Sequence, residues 1–272
     1  MFDLHSHSKC SDGSDTPSVV VETAKAKGLD LFALTDHDSV AGVNEALERA
    51  GELGLPMLSG AEMEAAYPAT LHLLCLGMDI YEAGFAALVE RQREFRLERN
   101  EKLTKKLRLL GMDVSEAVRS DSDCITRAHY ARALVERGFA ASMNDAYDRI
   151  LGKNGVAYVK QERLRPEQVI NATRNAGGVV VLAHPMQMRC EAAPMVRELM
   201  EYGIWGIEAH YYCATTGETK QFTSLARANN LFVTCGSDYH GKDRPAAVIG
   251  GCYEDNEELR RTRDELNHIF KV

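Results

Sequence analysis

The chain has 272 residues, 45% of them hydrophobic and 26% charged, with a net charge of −8. That apolar share can bury a sizeable core, so disorder as the main state is excluded, and 21 glycines with 7 prolines exclude a collagen-like chain. An acidic balance argues against duplex DNA as a partner, which needs a basic footprint, but still allows a phosphate met by local cations or by metals.

The length fits one large α/β domain, or a domain with a smaller insert. The chain opens MFDLHSHSK with no apolar signal region, and no stretch approaches the ~20 apolar residues of a membrane span. The seven cysteines (Cys10, Cys75, Cys124, Cys190, Cys213, Cys235 and Cys252) are odd in number and lack the spacing of a zinc knuckle or redox pair. Reduced thiols in a cytoplasmic protein with no membrane partner are expected.

Residues 1–8 read as a short strand ending in polar residues. Thr16 can cap a helix that opens at Pro17 and stops at Gly28. Leu29–Leu34 is a buried-strand candidate, and Ser39 to Gly54 a second helix with a glycine after its last turn. Leu55–Ser59 and Leu71–Leu76 are further strands. This alternation predicts a parallel sheet with covering helices. From about Glu82 to Arg165 the pattern changes. Phe85, Leu88, Val89, Phe95, Leu103, Leu107 and Leu110 recur at helical spacing, and Thr126–Glu136 and Ser142–Leu151 read as two more helices. This is expected to be a helical insertion, residues 82–165, in an α/β domain formed by residues 1–81 and 166–272. After Pro166 the alternation returns, with strand candidates at Gly178–Ala183, Gly206–Ala209 and Leu231–Thr234.

The histidines carry the chemistry. His5 and His7 are two apart on a strand, so they share a face. Asp12 follows. His37 lies between two aspartates after Leu34. Glu62 and His72 flank neighbouring strands, His184 follows Ala183, and Asp238 and His240 follow Thr234. In parallel α/β sheets the carboxyl edge of the strands is where ligands gather. Imidazole with carboxylate suits Zn, Mn or Fe, and shared carboxylates allow a multinuclear site.

Asp3-Leu4-His5-Ser6-His7-Ser8, Ser11-Asp12-Gly13, Leu34-Thr35-Asp36-His37-Asp38, Ala183-His184-Pro185 and Gly236-Ser237-Asp238-Tyr239-His240 together resemble the motifs of the PHP (polymerase and histidinol phosphatase) family. The resemblance implies a distorted seven-stranded β/α barrel holding two or three divalent ions. It implies one ion on His5, His7, Glu62 and Asp238, a second on Glu62 as bridge with His72 and His184, and a third on Asp12, His37 and His240. The insert and Ile125-Thr126-Arg127-Ala128-His129-Tyr130-Ala131-Arg132 look like the branch that hydrolyses nucleoside 3′,5′-bisphosphates and RNA 5′ ends. The expected substrate is thus a small nucleotide, such as 3′-phosphoadenosine 5′-phosphate, or short single-stranded RNA. The expected nucleophile is a hydroxide held between ions. After Ala183-His184-Pro185 that branch often has Gly-Arg-Tyr; this chain has Met186-Gln187-Met188-Arg189, which leaves Arg189 as a substitute cation.

Thr126 is a plausible cap, so Arg127 falls in a first helical turn, where free N–H groups favour a phosphate. His129 and Arg132 are further candidates for substrate contact. His210 is a candidate general acid on position alone. Arg91–Arg108 holds eight Lys/Arg against three Glu and reads best as a solvated helix face, with Glu98–Lys102 and Glu101–Lys105 as pairs. Tyr211 and Tyr212 are read as packing, and His268 as surface. The chain lacks G-x-G-x-x-G, P-loop and G-x-S-x-G motifs. The remaining alternatives are a small-molecule phosphatase such as histidinol phosphatase, a barrel amidohydrolase or deaminase, and a metal-bound regulatory domain.

Overall fold

A computed structural model describes residues 1–118, 124–188 and 191–272. Arg189 and Cys190 therefore lie outside the described residues. Three short parallel strands, β1 (Phe2–Asp3), β2 (Leu31–Ala33) and β3 (Met57–Leu58), form one sheet in that order. Helices α1 (Pro17–Ala26) and α2 (Val43–Leu53) connect them. The Thr16 side chain caps α1, Pro17 opens it, and Gly54 closes α2 in the left-handed conformation at φ 59°. Helix α2 starts at Val43 rather than Ser39, because the Ser39 hydroxyl accepts from the Ala41 N–H and holds a turn there.

The second sheet has five strands in chain order: β4 (Gly60–Ala65), β5 (Leu71–Leu76), β6 (Val179–Leu182), β7 (Gly206–Tyr211) and β8 (Phe232–Gly236). The all-parallel expectation fails at β5, which runs antiparallel to both β4 and β6. Only residues 66–70 join β4 to β5, too few for a crossover helix, so the chain must turn back on itself as a hairpin. Strand β4 carries Glu62 and lies beyond the Leu55–Ser59 run. Its alternation puts Glu62 and Glu64 on one face, while Met63 and Ala65 join the main core with Leu71 and Leu73.

Among the described residues the α/β fold thus has eight strands in two sheets, where the resemblance implies seven in one barrel. The sheets are joined by backbone hydrogen bonds and isolated bridges: the Leu4 N–H donates to the Cys235 carbonyl, the Asp238 N–H to that of His5 and the His7 N–H to that of Tyr239, and bridges pair Ser6 with Tyr239 and His37 with Glu62. Past β1 side-chain partners join the backbone ones: the Thr35 N–H donates to the Ser6 carbonyl, while the Ser6 N–H donates to Thr35 Oγ1 and the Ser8 N–H to Asp36. Gly236 permits the closest approach of β8 to β1. A Cβ there would lie 2.3 Å from the His5 Cβ and 2.2 Å from Glu208 Oε1.

Between β5 and β6 come α3 (Ala83–Leu109), α4 (Arg127–Glu136), α5 (Met143–Ala146) with a π turn at Tyr147–Leu151, and α6 (Pro166–Asn175). The start of α3 packs on the main core through Phe85 and Leu88. Its far end joins a separate apolar cluster with Tyr130, Leu134 and Ile150. Helices α7 (Ala192–Tyr202), α8 (Thr216–Ala228) and α9 (Glu257–Phe270) complete the chain, and His268 is exposed on α9. Among the described residues no helix is long and apolar enough to cross a membrane.

Candidate metal centre

The sheet geometry brings all nine expected ligands, His5, His7, Asp12, His37, Glu62, His72, His184, Asp238 and His240, to one edge. His72 sits near the start of β5, but β5 is reversed, so that start meets the carboxyl ends of β6 and β7. Glu62 is the hub. Its Oε2 lies 3.4 Å from His5 Nε2, 3.3 Å from His7 Nε2 and 2.9 Å from His37 Nδ1. Its Oε1 lies 2.7 Å from His72 Nδ1 and 2.8 Å from His184 Nε2. Asp238 Oδ1 lies 3.1 Å from His7 Nε2 and 3.5 Å from His5 Nε2, and Asp12 Oδ1 lies 3.3 Å from His240 Nε2.

The outer atoms set which nitrogens face inward. Glu208 lies 3.0 Å from His5 Nδ1 and accepts from the His184 N–H at 2.8 Å. With Nδ1–H given to Glu208, His5 Nε2 carries a lone pair, as a metal ligand requires. The His240 Nδ1 donates to the Asp238 carbonyl at 2.8 Å, which frees its Nε2 in the same way. His5 Nε2 and His7 Nε2 are 3.2 Å apart.

Whether this donor set fits ions is tested by its unpaired atoms. Asp12 Oδ1, Glu62 Oε2, His37 Nδ1, His72 Nε2, His184 Nδ1 and His240 Nε2 are all buried without a hydrogen-bond partner. His37 Nδ1 and Glu62 Oε2 are close yet misaligned, as atoms are that aim at a shared point rather than at each other. Four overlapping groups have ligand atoms within 4.8 Å of one another: His7, Asp12, His37 and His240; His5, His7 and Asp238; His5, Glu62 and His184; His37, Glu62 and His72. Nitrogen and carboxylate donors in this arrangement fit divalent ions.

The electrostatics agree. Burial raises Asp12, Glu62 and Asp238, but the surrounding histidines hold all three well below the ordinary carboxylate range. Burial lowers His7, yet Asp238 and Glu62 push it up to about 9; Glu62 and Glu64 likewise take His72 to about 10. Burial and His7 lower His240. Protons on these rings are where ions would compete. His184 and Asp238 hold left-handed backbone at φ 27° and 52°, strain of about 1–3 kcal/mol each that recurs at functional positions.

The substrate-contact candidates divide. Arg127 lines a cavity of about 740 Å³ together with His72, Tyr147, Lys160 and Arg163, and its Nη2 donates to the Val159 carbonyl. Arg132 is anchored on the Asp12 carbonyl at 2.7 Å and on Asp243 at 3.3 Å. His129 is a capping residue: its Nδ1 accepts from the Thr126 N–H at 3.1 Å, which leaves the proton on Nε2. Burial and Arg132 lower His129 to about 4. The described contacts do not bring His210 into the cluster; its ion partner is Glu254 at 3.9 Å, and the β7 residues that reach the ligands are Glu208 and Tyr211.

Several site residues escaped the sequence reading. Glu208, a lone carboxylate in an apolar strand, was a legible signal. Within the segment expected in solvent, Arg91, Lys102 and Arg108 are exposed and Glu98–Lys102 pairs at 3.6 Å, but Arg96 and Arg99 are buried, and Arg96 donates to Asp38. Arg163 reaches Glu64 at 2.7 Å, and Glu64 Oε1 lies 3.6 Å from His72 Nε2. Thr126 Oγ1 donates to Asp12 Oδ2 at 3.1 Å, which links the α4 cap to the cluster.

A sheet edge carrying six histidines around buried carboxylates defines a metal-dependent hydrolase site. The PHP domain matches residues 3–182, and the chain belongs to the PHP family. A 5′-3′ exoribonuclease of Haemophilus influenzae is 31% identical over 88% of this chain and 89% of its own. A 3′,5′-nucleoside bisphosphate phosphatase of Chromobacterium violaceum is 31% identical, over 92% and 90%. Two solved structures each cover 98% of this chain, with 96% of their own length aligned. One, described as an amidohydrolase from Chromobacterium violaceum with bound sulfate, has a TM-score of 0.91 at 29% identity. The other, a candidate metal-dependent phosphoesterase from Bifidobacterium adolescentis, has 0.85 at 30%.

Proposed function

We propose that this chain hydrolyses phosphate esters of nucleotides, with two or three divalent ions on the nine ligands named above. The carrying observation is the Glu62 carboxylate among five histidines, beside a cavity lined by Arg127, Lys160 and Arg163. When bound, Mn, Zn or Fe ions supply Lewis acidity and a nucleophile at neutral pH. The chain's own residues do the rest. Glu208 and the Asp238 carbonyl hold His5 and His240 in ligand form. Glu62 serves more than one ligand group at once.

Residues 82–165 act as a substrate cap on the metal-binding part formed by residues 1–81 and 166–272. Arg127 binds a phosphate that is not cleaved. Gln161, which lines the same cavity, is buried with neither amide atom partnered, and Arg99 is buried with two guanidinium nitrogens unpartnered. Burial, Arg127 and Arg96 together lower Arg99 to about 9. An anion in the cavity, beside Arg127, offsets the repulsion among these arginines and offers an acceptor to Gln161 Nε2. His129, neutral at pH 7, donates a hydrogen bond through Nε2 rather than a proton to a leaving group. Burial lowers His210 as well, which disfavours it as a general acid.

The substrate is a nucleoside 3′,5′-bisphosphate or the 5′ end of a short single-stranded RNA, consistent with the net charge of −8 and a local cluster of cations. The test is product analysis on 3′-phosphoadenosine 5′-phosphate, AMP and a short 5′-phosphorylated RNA side by side. Inorganic phosphate or a mononucleotide is expected from one of them. Release of ammonia without phosphate chemistry would return the chain to the amidohydrolase class.

A further inference from the structure

Asp238 is held on two sides, and its two oxygens have different partners. Oδ1 faces the cluster, 3.1 Å from His7 Nε2 and 3.5 Å from His5 Nε2. Oδ2 faces away. It accepts from the Tyr211 hydroxyl at 2.5 Å and from Arg244 Nη1. Arg244 Nη1 also donates to the Asp238 carbonyl at 3.2 Å, which braces a residue whose backbone is strained at φ 52°.

The direction of the Tyr211 hydroxyl is fixed from behind. Gln187 Nε2 donates to Tyr211 Oη at 2.6 Å, so the oxygen is an acceptor on that side and its one hydrogen goes to Asp238. Tyr211 is buried and packs against the His184 ring at 5.4 Å, so the hydroxyl has little freedom to turn elsewhere. Gln187 stands in the segment after His184 and lines a second cavity of about 650 Å³ with Tyr147 and Lys153.

We propose that Tyr211, with Gln187 behind it, is a positioning residue for Asp238: it ties up Oδ2 so that Oδ1 alone is presented to an ion held by His5 and His7. The inference rests on the metal reading above. A carboxylate free to rotate offers either oxygen and spends part of its time turned from the ion. One pinned by its outer oxygen is already oriented, and outer partners of this kind change ion affinity by about 10–100-fold. Tyr211→Phe removes only the hydroxyl and leaves the net charge unchanged, which makes it a clean probe; loss of Arg244 would change the local field as well.

The experiment is a titration of chelator-stripped wild type and Tyr211→Phe with Mn²⁺ and with Zn²⁺, together with the melting temperature of each metal-free form. One class of ion should bind about ten-fold more weakly in the variant. The other ions should bind as in wild type, and the metal-free melting temperatures should agree. Activity lost at limiting metal should return at saturating metal, because Tyr211 acts through Asp238 and does not touch substrate. Unchanged affinity for every ion overturns the proposal. So does an activity loss that excess metal does not repair, since that would place Tyr211 on the substrate. If wild type itself binds no ion, the metal reading fails first, and the two failures are thereby distinct. If Tyr211→Phe melts early when metal-free, Gln187→Leu at its exposed position takes its place. A drop in affinity for that same ion supports the chain of contacts, and no change overturns it.

Discussion

The cluster around Glu62 and the cavity beside Arg127 are neighbours that share His72, yet they are built in opposite ways. In the first, carboxylates and imidazoles pair with one another and hold the acid groups far below their ordinary range. In the second, the buried Gln161 has neither amide atom partnered, and Arg99, whose charge is felt by Arg127, is buried with Nε and Nη1 unpartnered. One region gathers imidazoles around buried carboxylates; the other sets Arg127, Lys160 and Arg163 around a cavity beside buried polar atoms without partners. The function proposed above gives chemistry to the sheet edge and selection of substrate to the insert, and each assignment can be broken separately.

The largest effect falls on the hub. Glu62→Gln removes a charge that serves five histidines, and kcat/KM should fall beyond the roughly 100-fold upper range seen for outer partners. It should also fall further than in His240→Ala, with metal content dropping in parallel. A variant that keeps its ions and most of its rate would show that Glu62 is no bridge.

Arg127→Ala sharpens the contrast. Losing a charge-assisted phosphate contact costs about 1.5–3 kcal/mol, or roughly ten- to a hundred-fold in kcat/KM. That loss should appear with a nucleotide bearing two phosphates and be small with a simple aryl phosphate, while metal content stays at the wild-type level. Equal losses on both substrates would move Arg127 to the scissile phosphate.

Gly236→Ala probes the join between the sheets. The added methyl meets Glu208 and His5, and overpacking of this kind costs about 1–3 kcal/mol. A lower melting temperature should come with weaker ion binding, because the displaced His5 ring is one of the ligands proposed above. A lower melting temperature with unchanged ion binding would separate the join from the centre.

The smallest effect is in pH. In the metal-free protein His7 is raised from 6.5 to about 9 and His72 to about 10. A group raised on folding stabilises fully below its unfolded value and loses that contribution as pH rises through the folded one. Metal-free protein should therefore lose stability between about pH 6.5 and 10. Ion-loaded protein should not, because ions replace those protons. Melting curves across that window, with and without chelator, decide it.

The candidate ligands that the fold gathers were legible because they stand in short motifs: His5 and His7 two apart, Asp36-His37-Asp38 after one strand, Asp238 and His240 after another. The first helix and its Thr16 cap were legible too, being local. What escaped was long-range. Nothing in residues 60–65 announces a strand that turns back into β5, since the reversal is set by the short connection and by pairing. Arg99 and Lys102 look alike on a helix, and only tertiary packing buries the first and leaves the second in solvent. Glu208 and Arg244 meet their partners across more than one element, and no local spacing encodes that. His129 stood at the third position of its helix, where its role as a cap partner competes with the phosphate contact read from its neighbours.

The central claim is that the ions around Glu62 perform phosphate-ester hydrolysis. The direct measurement is phosphate release from 3′-phosphoadenosine 5′-phosphate by protein stripped with chelator and then titrated with Mn²⁺ or Zn²⁺. The account predicts no turnover in the stripped protein and recovery that tracks ions bound per chain. Turnover indifferent to chelation, or full ion loading with no phosphate released from any nucleotide ester, would contradict it.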